Sequence, residues 1–146
     1  MDSLDAFVGE WSMNALAFSG PPANATFEWM SGERFLIERW DAGTIQVGDE
    51  EIEFTGIAIF GYVATRKNYL QHYFDSRGVA RVYQMTFVDG VWTRWRDTED
   101  FSPLDFSQRF TGTFSDDGNT IEGRWEICHN GNTWEKDFDL TYTRVT

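Results

Sequence analysis

The side chains best suited to chemistry in this sequence are a histidine and its polar neighbours on predicted strands. His72 is the leading candidate for a general acid or base, because histidine ordinarily titrates near neutral pH. Facing inward beside Tyr83 and Glu38 or an interior arginine, His72 would act as general acid or base on an enclosed molecule, with Tyr83 as the second catalytic group. The alternative is a histidine that is satisfied by a neighbour or faces solvent.

Arginines and aromatic residues supply the candidate binding groups. Arg81, together with Arg94 or Arg96, can bind a ligand carboxylate through paired hydrogen bonds. The alternative is that these arginines face outward and pair with the acidic surface. Aromatic side chains line ligand cavities, although they equally fill cores without a cavity. The aromatic candidates for a cavity wall are Trp29, Trp40, Trp92, Trp125 and Phe138.

The sequence contains no nucleophile elbow, phosphate-binding loop, dinucleotide fingerprint or zinc-ligand spacing. One cysteine and two distant histidines do not make a zinc site, and we expect no metal. Asp116-Asp117-Gly118 suggests a calcium loop, but a hairpin turn is the better explanation. Any catalysis must therefore come from histidine, carboxylate, tyrosine and arginine side chains in a cavity.

The elements that would position these residues are strands. From Trp11 onward apolar and polar residues alternate between turn signals at nearly regular spacing. Asp89-Gly90 and Asn130-Gly131 are typical of two-residue hairpin turns. Ten strands are predicted, at about 10–18, 25–31, 33–41, 51–60, 68–75, 79–88, 91–97, 105–115, 119–128 and 132–145.

These strands favour an all-β fold, a closed antiparallel up-and-down barrel. Leu4, Phe7 and Val8 follow a helical spacing and predict one short helical turn before the first strand. The longest connection, residues 43–50, leaves no room for crossover helices, so residues 1–146 read as a single domain. Closure hides strand edges that no helix covers. A two-sheet sandwich is the alternative.

Alternation also predicts which side chains face the barrel interior. In the sixth strand Arg81 and Tyr83 share the bulkier, inward face. In the fifth strand His72 lies with Leu70 and Phe74, and we place it inside. The faces of 33–41 and 91–97 stay undecided. On the last strand the predicted interior face comprises Trp134, Lys136, Phe138, Leu140, Tyr142 and Arg144.

Gly9-Glu10-Trp11, at the head of the first strand, resembles the Gly-x-Trp signature of the calycins, the superfamily of lipocalins and fatty-acid-binding proteins. The resemblance implies that a basic side chain of the last strand, here Arg144, packs across Trp11 and closes one barrel end. Further stretches resemble a bacterial branch of that superfamily: Gly32-Glu-Arg-Phe-Leu36, Phe60-Gly-Tyr62, Phe74-Asp-Ser-Arg-Gly78 and Tyr142-Thr-Arg144.

The resemblance has consequences for ligands. Interior arginines bind the ligand carboxylate in fatty-acid-binding proteins, which gives Arg81 and Arg94 or Arg96 a precedent. Nitrobindin-like barrels of similar length bind haem through a late axial histidine. The only late histidine here, His129, abuts a predicted hairpin tip. We therefore expect neither haem nor another cofactor.

The net charge of the chain limits the classes of partner that we expect. Twenty-four acidic against twelve basic residues give a net charge of −12, which disfavours nucleic acid and anionic membranes as partners. A single cysteine fits a reducing compartment, and the N-terminus lacks the features of a signal peptide, so we expect a cytoplasmic protein. Homodimerisation stays open, because an apolar outer face can pack on a second copy.

The sequence thus predicts a barrel that holds a small hydrophobic or amphipathic molecule in its interior. The first alternative is an enzyme of isomerase, cyclase or hydratase type that acts on an enclosed lipophilic substrate, with His72 as acid and base. The second alternative is a filled structural or dimerising barrel.

Overall fold

The computed structural model describes residues 1–15, 21–99, 104–129 and 131–145. One 3₁₀ turn, Leu4–Phe7, precedes ten strands. The strands are β1 (Gly9–Asn14), β2 (Ala23–Trp29), β3 (Phe35–Val47), β4 (Glu50–Val63), β5 (Asn68–Asp75), β6 (Ala80–Val88), β7 (Val91–Arg96), β8 (Ser107–Phe114), β9 (Thr120–Cys128) and β10 (Glu135–Arg144). Among the described residues, no helix has the length and apolar character to cross a membrane.

The ten strands form one closed antiparallel barrel. Each strand pairs with its neighbours in sequence, and β1 pairs with β10 to complete the ring. The predicted all-β barrel is therefore confirmed and the sandwich alternative is wrong. The predicted Asp89-Gly90 turn joins β6 to β7, with φ angles of 52° and 75°. Asn130, in the other predicted turn, lies outside the described residues.

β3 and β4 are longer than predicted. The segment 43–50, expected as the longest connection, instead extends both strands, with Val47 paired to Glu50 across a tight turn. The register shifts between Asp41 and Thr44, so the hairpin continues beyond an irregularity that breaks strict alternation. That break explains why the sequence pattern ended the strand too early.

The helical turn closes one end of the barrel. Ser3 caps it, and the ring of Phe7 packs on those of Phe27, Phe87 and Trp92. Buried apolar side chains at this end form a continuous core. The cavity of the barrel lies toward the opposite end.

The predicted stacking of Arg144 on Trp11 is present at this end. The guanidinium carbon of Arg144 lies 4.2 Å from the ring centre of Trp11. Arg144 also donates hydrogen bonds of 2.8 Å to the carbonyl oxygens of Val8 and Ala6. The guanidinium thus ties the last strand to the end of the helical turn.

A bulge in β10 corrects the interior face predicted for that strand. The register shifts between Lys136 and Phe138, so Asp137 is left without a partner across from β9. Phe138, Leu140 and Tyr142 point inward as predicted. Lys136 does not, and its amine instead binds Asp139 on the outer face.

Trp134 is also wrongly predicted as interior. Its ring lies 4.2 Å from the guanidinium of Arg109, which is on the outer face of β8. The neighbouring Gln108 of β8 lines the interior, and alternation therefore turns Arg109 outward.

Candidate functional site

The barrel encloses a cavity of about 460 Å³ that reaches the end opposite the Trp11–Arg144 contact. Along β10, Asp137 and Phe138 line it, whereas Arg144 lies at the closed end. Most of the wall is apolar, and it includes Met13, Trp40, Ile45, Phe54, Phe138 and Leu140. The polar part includes Glu38, Gln71, Arg81, Tyr83, Arg94 and Tyr142. The interior is therefore not filled, and its polar groups are concentrated in a few side chains.

Glu38 is a buried carboxyl group on the cavity wall. It faces inward with Leu36 and Trp40, and it is only 2% exposed. Its partners on the neighbouring strands are the apolar Phe27 and Ala58. Burial raises the pKa of Glu38 to about 7, against the opposing attraction of Arg94. Near neutral pH this carboxyl group is thus divided between its two protonation states.

Arg94 is the cation whose charge acts on this carboxyl group. Arg94 is only 4% exposed, and its guanidinium carbon lies 4.0 to 4.8 Å from the ring centres of Trp92, Phe110 and Trp125. It donates a hydrogen bond of 3.1 Å to Oε1 of Gln71. Aromatic faces stabilise a cation without neutralising it, so the charge of Arg94 remains available to an anion.

Tyr142 completes this group of side chains. Arg94 hydrogen-bonds its hydroxyl, and the ring packs against Trp92 and Trp11. Burial raises the pKa of Tyr142, and the charge of Glu38 raises it further. The phenol therefore stays protonated throughout the neutral range. We call Glu38, Gln71, Arg94 and Tyr142 the polar floor.

A second polar group lies on the wall formed by β6 and β8. The Tyr83 hydroxyl donates a hydrogen bond of 3.1 Å to Oε1 of Gln108, and Arg81 donates one of 3.3 Å to the same oxygen. All three side chains line the cavity. A neutral amide oxygen leaves the charge of Arg81 uncompensated at this contact.

An ion pair stands at the β5–β6 turn. Arg77 and Asp75 are 2.7 Å apart, and the Tyr73 hydroxyl donates a 2.6 Å hydrogen bond to the same carboxylate. Burial would raise the pKa of Asp75, but the hydrogen bonds from Arg77 and Tyr73 outweigh it and lower that pKa. Arg77 is therefore already neutralised, unlike Arg81.

Some buried hydrogen-bond donors on the cavity wall have no acceptor. Within the part of the chain that the structure describes, Nε2 of Gln71 and Nε of Arg81 and Arg94 are buried without a hydrogen-bond partner. A buried donor left unpaired typically costs about 1–3 kcal/mol. These atoms would gain most from acceptor oxygens brought into the interior.

Most of the predicted site residues meet in this cavity. Glu38, Trp40, Arg81, Tyr83, Arg94, Trp125 and Phe138 all line it. Trp92 is fully buried beneath the polar floor, and Trp29 donates a 2.8 Å hydrogen bond to Asp5 of the helical turn. These two tryptophans belong to the core of the closed end and do not form the cavity wall.

The expectation that His72 faces the interior is wrong. His72 lies in a shallow groove on the outer surface of β3–β5, with Phe35, Tyr62 and Leu70. Gln71 takes the inward position, where it accepts the hydrogen bond from Arg94. Because the outer surface here is itself apolar, the hydrophobic pattern of β5 pointed to the wrong face. His72 therefore cannot serve a reaction inside the cavity.

Gln71, Gln108 and Tyr142 are among the polar cavity residues that were not predicted as functional candidates. Gln71 had no usable sequence signal, since its partner lies two strands away. Gln108 shares an inward face with Phe110, and that alternation was a signal that could have found it. Tyr142 was placed inside, but only the contact with Arg94 distinguishes it from a core residue.

The described residues hold no group of three histidine, cysteine, aspartate or glutamate side chains able to bind a metal ion. His129 is exposed at the end of β9, with its ring centre 5.6 Å from that of Phe106. No model of a known protein family matches the chain, and no curated protein is significantly similar to it.

Proposed function

We propose that this protein is a calycin-type barrel that binds a small amphipathic molecule in its interior. The observation that carries the proposal is the set of buried, unpaired donors of Gln71, Arg81 and Arg94 on the wall of a mostly apolar cavity. The ligand would place acceptor oxygens, such as those of a carboxylate, against these donors. Its apolar part would lie along Phe54, Phe138 and the other apolar wall residues.

Size and charge support this assignment. The cavity volume of about 460 Å³ lies in the range of small-molecule sites, about 300–1,000 Å³. The net charge of −12 repels large polyanions, whereas Arg81 and Arg94 attract a single anionic group once it is inside. The Gly9-Glu10-Trp11 opening and the stacked Arg144 support the calycin assignment.

Calorimetric titration with decanoate and with decan-1-ol tests the proposal. Arg94→Met removes a charge-assisted contact worth about 1.5–3 kcal/mol, so decanoate should bind at least about tenfold more weakly. Decan-1-ol affinity should change little. Arg124→Met, at an exposed arginine paired with Asp139, is the matched control and should leave both affinities unchanged. If the wild type binds neither decanoate nor decan-1-ol, the proposal is refuted.

Glu38 favours a second function, an enzyme of isomerase, cyclase or hydratase type. A carboxyl group with a pKa of about 7 in an enclosed cavity suits proton transfer to or from a bound lipophilic substrate. 5-Nitrobenzisoxazole is a suitable probe, because a base that removes its C3 proton breaks the N–O bond and releases a coloured phenolate. Turnover should rise with pH through about 7 and disappear in Glu38→Gln. Equal turnover in that variant would exclude this function.

A further inference from the structure

With a carboxylate ligand bound at the polar floor, two anions would face one buried cation. The anions are Glu38 and the ligand, and the cation is Arg94. Glu38 is 2% exposed and experiences the charge of Arg94, which is itself 4% exposed. A ligand carboxylate at the floor would use the same cation. Two negative charges in a site of low dielectric repel each other strongly, whereas one carboxylate and one neutral carboxyl group do not.

We propose that the cavity takes up one proton, on Glu38, when a carboxylate ligand binds at the polar floor. The inference rests on the proposed function in assuming that the ligand's carboxylate lies beside Arg94. It adds that the protein selects its ligands according to pH: carboxylates bind to the form with a neutral Glu38, and neutral ligands such as alcohols bind to either form.

The surroundings single out Glu38 as the group that changes charge. Its neighbours on β2 and β4 are the apolar Phe27 and Ala58. β5 contributes the uncharged Gln71. Among the described residues of β7 and β10, the only charged or titratable side chains that act on Glu38 are Arg94 and Tyr142. The other charged or titratable side chains lining the cavity are Tyr73, Arg77, Arg81, Tyr83 and Asp137.

The pKa shifts of Tyr142 and Asp75 keep both groups from taking up a proton near neutral pH. Burial raises the pKa of Tyr142, so its phenol is already protonated. Asp75 binds Arg77 and has a lowered pKa, so its carboxylate is already ionised. The pKa of Glu38, raised to about 7 by burial, makes it the group whose charge the ligand can alter.

The size of the effect follows from the fraction of protein with a neutral Glu38. With a pKa of about 7, that fraction is about 0.9 at pH 6 and about 0.1 at pH 8. Apparent affinity scales with the fraction in the binding form, so decanoate should bind about tenfold more weakly at pH 8 than at pH 6. Proton uptake should approach one at pH 8 and fall to about 0.1 at pH 6.

The test is calorimetric titration of decanoate at pH 6 and pH 8 in buffers of different ionisation enthalpy, which counts the protons taken up. Glu38→Gln mimics the neutral carboxyl group, so we expect no proton uptake and the same affinity at both pH values. Glu122→Gln, at an exposed acidic residue of β9, is the matched control and should behave as the wild type. Decan-1-ol should bind without proton uptake.

Three results would overturn the inference. If decanoate binds the wild type with no proton uptake at pH 8, coupling is absent while the proposed function stands. If Glu38→Gln takes up as many protons as the wild type, the ligand or another group receives the proton. If decanoate does not bind at pH 6, the proposed function itself fails and this inference with it. The wild-type proton count decides the first case even when the variant does not fold.

Discussion

Replacement of Glu38 by glutamine should remove a pH-dependent loss of stability. Folding moves the pKa of this carboxyl group from its ordinary 4.5 to about 7. Below pH 4.5 both folded and unfolded chains hold the proton, so Glu38 has no effect on their difference. Between the two values only the folded chain holds it, and stability falls as pH rises. At about 1.4 kcal/mol for each pH unit, the loss above pH 7 reaches about 3 kcal/mol.

The assay is urea unfolding of the wild type and Glu38→Gln at pH 5 and pH 8, with the free energy of unfolding extrapolated to water. The difference between the two proteins should shift by about 2–3 kcal/mol in favour of the variant between these pH values. Other titrating groups, such as Asp75, are present in both proteins and largely cancel. A difference that stays constant within about 0.5 kcal/mol would refute the assignment of a raised pKa to Glu38.

Two further substitutions test other parts of the barrel. Arg144→Met should lower the free energy of unfolding by about 2 kcal/mol, because the stacking on Trp11 and two hydrogen bonds are lost at the closed end. Its decanoate affinity should stay unchanged, and exposed Arg124→Met should cost less than about 0.5 kcal/mol. Gly56→Ala should cost about 1–3 kcal/mol, because the added Cβ would clash with the Trp40 ring. A shifted tryptophan emission spectrum should accompany that loss. Wild-type unfolding curves for either variant would contradict the packing described.

The barrel could be predicted from the sequence because its signals are local. Alternation and sharp turns such as Asp89-Gly90 set the strands, and the absence of covering helices favoured closure. The contact between Trp11 and Arg144 came from a family resemblance at the chain ends. In each case one or two short stretches of sequence carried the information.

The candidate site was less predictable because its contacts are long-range. Gln71, and not His72, faces inward, and its hydrogen-bond partner Arg94 lies more than twenty residues away in the sequence. The orientation of Lys136 depends on a bulge that the hydrophobic pattern does not show. The pKa of Glu38 depends on burial by strands distant in sequence. Such features follow from packing, which alternation within one strand does not encode.

The central claim is that an amphipathic ligand occupies the barrel interior, and nuclear Overhauser contacts from bound decanoate test it most directly. Decanoate protons should contact the methyl groups of Met13 and Leu140, which line the cavity. They should not contact Leu70, which lies in the outer groove with His72. Contacts to Leu70 with none to the two interior side chains would contradict the account.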